Sequence, residues 1–169
     1  MSDDFKFIHF WNDEHEKQIR YYNHLKEFVL DGEGINTLMR AVPVAQAAWV
    51  ASDGSPRAIT VPFALLNEDY VYFTAEESQA IVQSLRKDPR ISMCWGGPGG
   101  AATVRGQAEV ISDPALTASV CEASAKQRYP DDPAKASKLA SKLDSPTRVS
   151  IKVSKEKFIT FSGAGLPRD

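Results

Sequence analysis

The feature that most constrains the fold is a series of short apolar runs separated by turn signals in the middle of the chain. Val44 to Ala51 is small and apolar, and it ends at Ser52-Asp53-Gly54-Ser55-Pro56, a dense cluster of turn formers. Ala58 to Leu66 follows, then the turn Asn67-Glu68-Asp69, then Tyr70 to Thr74, whose YVYFT is rich in aromatic and β-branched residues. These three runs read as a meander of strands joined by tight hairpins. Arg90 to Trp95 and Ala101 to Ser112 read as two more strands, flanking the glycine-rich segment 96–100. Gly106 inside the second of them predicts a bulge or a close backbone approach. Thr147 to Phe161 closes the chain with alternating Val149, Ile151 and Val153, as a sixth strand bent near Ser154-Lys155.

Helical spacing fills the gaps. Asn12 to Leu30 carries Ile19, Tyr22, Leu25, Phe28 and Val29 as one apolar stripe, with acidic residues at its start. Asp31-Gly32-Glu33-Gly34 is expected to stop it, and a short helix from Ile35 to Ala41 then ends before Pro43. Ser78 to Lys87 is a further helix, with Ser78 as cap and Ile81, Val82 and Leu85 on its inner face. Asp113 caps a helix that opens with Pro114 and runs to Arg128, and a last helix covers Ala134 to Leu143.

An order of three strands, a helix, two strands, helices and a final strand leaves few crossovers for a parallel sheet, so the sheet should be antiparallel. Six short strands with helices around them fit a closed or split barrel. The expected fold class is therefore α+β, a six-stranded antiparallel barrel with flanking helices. The 169 residues should form one domain: a helical segment 12–41, a barrel core 44–112, helices 114–143 and the closing strand 147–161.

Composition excludes several functions. A formal net charge of -2 gives no footprint for nucleic acid and no polybasic signal for a membrane surface. No apolar stretch reaches the ~20 residues of a membrane span, and MSDDFKF puts acids where a signal peptide carries positive charge. The expected location is cytoplasmic. Cys94 and Cys121 show no CxxC or metal spacing and are read as buried, reduced thiols. His9, His15 and His24 form no metal-binding pattern. No GxGxxG after a strand, P-loop or GxSxG elbow is present, and no general acid or base stands out.

The stretch from Asp53 to Pro114 supplies a more specific signal. Asp53-Gly54-Ser55-Pro56-Arg57 precedes a strand reading AITVPF, then come YVYFT, a helix running into Leu85-Arg86-Lys87-Asp88-Pro89-Arg90-Ile91-Ser92, and TVRGQAEVISDP. This ordered set resembles the flavin-binding split-barrel family related to pyridoxamine 5'-phosphate oxidase. The resemblance implies a split barrel that binds FMN at a homodimer interface and acts as an oxidoreductase on a small molecule. It places Arg57 at the flavin phosphate, Thr60, Val61 and Pro62 along the ring, Phe73 and Thr74 at the end of the third strand, and Ser78 and Gln79 at the phosphate-contacting helix start. Ser78 serves equally as a helix cap, and Arg57 as an exposed strand-end charge. Gln79, Ala80 and Ile81 stand where the family often has lysine or arginine. That departure leaves the deazaflavin F420 as the alternative cofactor. It also leaves open a non-catalytic protein that holds flavin, heme or another planar ligand.

Overall fold

A computed structural model describes residues 29–97 and 100–162. The expected helix 12–30 lies outside these residues except for Val29 and Leu30, which are in irregular backbone, and the three histidines lie outside them too. The elements are α1 (Gly32–Ala41), β1 (Val44–Val50), β2 (Pro56–Pro62), β3 (Tyr70–Glu76), α2 (Ala80–Leu85), β4 (Arg90–Gly97), β5 (Gly100–Ile111), α3 (Pro114–Arg128), α4 (Pro133–Leu143), β6 (Arg148–Ser154) and β7 (Lys157–Ser162). All strand pairs are antiparallel, and the order is β2-β1-β4-β5-β6-β3, with β7 also paired to β5. This is the α+β split barrel.

The Asp31-Gly32-Glu33-Gly34 stop signal turns out to be a start. Asp31 accepts a hydrogen bond from the Gly34 backbone N–H at 2.8 Å, so it caps α1, and Ile35, Leu38 and Met39 are buried. The β1–β2 hairpin forms as expected. Its turn is held by Asp53, whose Oδ1 accepts from the Ser55 N–H and Oγ, and by Gly54 at φ +81°.

The expected meander does not extend to the third strand. β3 pairs along its whole length with β6, from Tyr70 opposite Ser154 to Glu76 opposite Arg148. Only an isolated bridge between Ala64 and Tyr72 joins it to the chain following β2. The reason lies in YVYFT itself, which is apolar on both faces. Val71 and Phe73 enter the main core, while Tyr72 packs with Ala64 and Val120 of α3. A strand needing cover on two sides sits between the core and a helix rather than in an exposed hairpin.

The expected sixth strand is two strands. β6 ends at Ser154 and β7 begins at Lys157, close to the expected bend. β5, with 12 residues, serves both: Gly100 to Arg105 pair with β7, and Ala108 to Ile111 with β6. The core holds Trp95 and Phe63 edge to face, with ring centroids 5.4 Å apart, together with Met93, Phe73 and Ile151. Cys121 is buried as expected, but Cys94 is only half-buried, and both are free thiols.

Candidate functional site

α2 crosses beside the β1–β2 hairpin, and the two elements enclose a cleft of about 500 Å³. The inner side of α2 is anchored by Ile81, Val82 and Leu85. Its other side presents Ala80, Gln83 and Ser84, and Lys87 follows just past the helix end, all lining the cleft. Opposite stand Trp49 of β1 and its register partner Arg57 of β2, with Ile59 beyond. Trp49 is buried, and its indole N–H has no acceptor among the described residues.

Arg57 is exposed and lies 3.6 Å from the Asp53 carboxylate, a pair with both side chains more than half in solvent. Hydrogen bonds from the Ser55 hydroxyl and N–H, and then the Arg57 charge, hold the Asp53 carboxyl below the usual range. Such a surface pair is readily exchanged for another partner.

The residues that the family resemblance singles out occupy three environments. Arg57, Thr60 and Pro62 are exposed on β2. Val61 and Phe73 are core residues, Phe73 completely buried and Val61 nearly so. Thr74, Ser78 and Gln79 lie at the end of β3 and the start of α2. Thr74 accepts a hydrogen bond from Arg148 at 3.3 Å and lies 3.8 Å from the Cys121 sulfur. Ser78 is exposed and is not the cap: the capping position is Gln79, whose side chain accepts from the Glu76 N–H at 3.2 Å instead of capping α2. Hence the cap of α2 lies one residue later than its sequence suggests.

Beside Thr74 lies a polar cluster that sequence reading misses. Glu76 accepts from Arg148 at 2.6 Å, from Thr147 at 2.8 Å and from Ser145 at 3.2 Å. The Thr147 hydroxyl first, and then the Arg148 charge, hold the Glu76 carboxyl below its ordinary range. This cluster ties β3 to β6 through the Arg148 Nη atoms, while the buried Arg148 Nε has no acceptor among the described residues. Lys87 and Trp49 are also missed, although the spacing Ala80, Ser84, Lys87 puts all three on one helical face and offers a signal for the former. A groove of about 600 Å³ between α3 and α4 is larger than the α2 cleft, but its Lys126 is already paired with Glu122 at 2.7 Å. It contains none of the residues that the resemblance points to.

The model of the pyridoxamine 5'-phosphate oxidase family matches residues 33–160. The chain belongs to this family. No curated protein matches it. Among solved structures, Mycobacterium tuberculosis protein Rv2991 superposes with a TM-score of 0.74 at 15% identity, over 85% of this chain and 93% of that one. A protein named F420 Reductase gives a TM-score of 0.56 at 22% identity, over 73% of this chain and 94% of that one. A Clostridium acetobutylicum protein related to general stress protein 26, of the pyridoxinephosphate oxidase family, gives 0.58 at 16% identity, over 79% and 97%. At these identities the structural likenesses establish the split-barrel fold.

Proposed function

We propose that this chain is a flavin-dependent oxidoreductase that binds FMN along β2 and in the cleft beside α2, at a homodimer interface, and acts on a small molecule. The observation behind this reading is Arg57, an exposed guanidinium at the rim of a 500 Å³ cleft, on a strand whose residues 56–60 are all exposed. That volume suits a small-molecule or cofactor site. A guanidinium supplies two parallel donors to a phosphate, and an extended strand offers N–H and C=O groups at regular spacing to the polar edge of a planar ring. Bound flavin would supply the redox chemistry, while the protein binds it, orients it and keeps competing water away.

A second reading takes F420 as the cofactor. It is favoured by Gln79, an uncharged side chain that bonds to the Glu76 N–H at the start of α2, where the family often carries a cation. The likeness to a protein named F420 Reductase is in keeping with it.

The deciding experiment is an absorbance spectrum of protein purified from its native host, followed by mass spectrometry of the denatured supernatant. FMN released near one per chain supports the first reading, and F420 the second. A colourless protein that takes up neither at micromolar concentration overturns both.

A further inference from the structure

Lys87 occupies the same cleft as Arg57, at the end of α2 remote from Gln79. Ala80, Gln83, Ser84 and Lys87 recur at intervals of three and four, which places them on one helical face. That face is the wall opposite Arg57. The neighbouring Arg86 is committed elsewhere: its guanidinium grips the Glu77 carboxylate with both Nη atoms, one of them at 3.0 Å. Lys87 has no carboxylate partner among the described residues. The cleft thus holds two cations against one carboxylate, Asp53, whose contact with Arg57 is exposed and long. The Trp49 indole N–H in its wall adds a buried donor that nothing among the described residues satisfies.

We infer that Arg57 and Lys87 together form an anion subsite for the phosphate of a bound ligand, with Lys87 supplying from the end of α2 the positive charge that its beginning lacks. The identity of the ligand as a flavin phosphate rests on the function proposed above. The anion subsite itself does not, because it follows from the charges that face one another across the cleft. Arginine offers a planar fork and lysine a point charge, so the two can meet different oxygens of one phosphate.

The test compares FMN with riboflavin, which lacks the phosphate, in fluorescence titrations of the full chain and of K87Q and R86Q, with circular dichroism to verify folding. K87Q should weaken FMN binding by about tenfold or more, the loss of one charge-assisted contact, and leave riboflavin unchanged. R86Q should leave FMN binding as it is. FMN binding that K87Q does not alter, in a chain that prefers FMN to riboflavin, overturns the inference while the flavin reading stands. A chain that binds neither FMN nor F420 ends the flavin reading, and calorimetry with inorganic pyrophosphate then decides the subsite. Pyrophosphate binding that K87Q abolishes supports it. No binding, or binding equal in K87Q, overturns it.

Discussion

A β-carbon on Gly106 would lie 1.8 Å from the Ser154 carbonyl oxygen, a separation no side chain tolerates. At this point β5 passes from its pairing with β7 to its pairing with β6, and the Gln107 N–H turns to the Ser154 hydroxyl at 2.9 Å. G106A should therefore force the two backbones apart and cost about 1–3 kcal/mol, measured by urea denaturation, since crowding at a closely packed position is not relieved by a rotamer change. The close approach was legible, because a glycine within an otherwise β-forming run has few other uses. Lys87 was not: sequence places it among three charged neighbours, Arg86, Asp88 and Arg90, and only the structure shows that two of these neighbours, the arginines, are taken by Glu77 and Asp88. Phe73 and Val61, which the family pattern places near a ligand, have their side chains packed in the core.

Element boundaries follow local chemistry where a side chain captures the backbone. Asp113 accepts from the Ala115 N–H at 2.9 Å and from the Leu116 N–H at 3.2 Å, and α3 begins at the residue its sequence indicates. D113A should cost about 1 kcal/mol in thermal or urea unfolding, as for other lost caps. The turn between α2 and β4 is held in the same manner. Asp88 accepts from the Arg90 side chain at 2.8 and 2.5 Å and from its backbone N–H at 3.2 Å. These bonds, the side-chain ones first, pull the Asp88 carboxyl from its ordinary 3.8 to about 2. A carboxyl depressed in the folded state stabilises the fold above its unfolded pKa and ceases to do so as pH falls through the folded one. The stability difference between the wild type and D88N should therefore be complete at about pH 5, shrink below pH 3.8 and vanish near pH 2, as followed by urea midpoints across that range. α2 shows where local signals fail. Ser78 is a good cap by type, but Gln79 bonds to the Glu76 N–H and the helix starts after it, since the end of β3 is fixed by its pairing with β6.

At the scale of the molecule, alternation and turn signals convey which segments are strands, but not which strands are neighbours. The β1–β2 hairpin was legible because its turn is local. The pairing of β3 with β6 joins residues more than seventy positions apart, and it is decided by burial on both faces of YVYFT. The same topology leaves β2 at the end of the strand order, bonded along one side to β1, with residues 56–60 exposed and Ile59 at 39% exposure. An edge strand with an exposed apolar side chain is an aggregation hazard unless something covers it. Ile59 also lines the cleft with Arg57, so an interface along β2 would shield the apolar edge and complete the wall of the ligand site at once. Light scattering on the wild type should therefore give twice the 18.6 kDa chain mass at micromolar concentration. I59K, which puts a charge into that interface, should shift the mass toward 18.6 kDa and weaken FMN binding in parallel. A wild type that runs as a monomer while holding FMN would mean that one chain suffices for the site. An I59K chain that stays dimeric would place the contact on another face of the barrel.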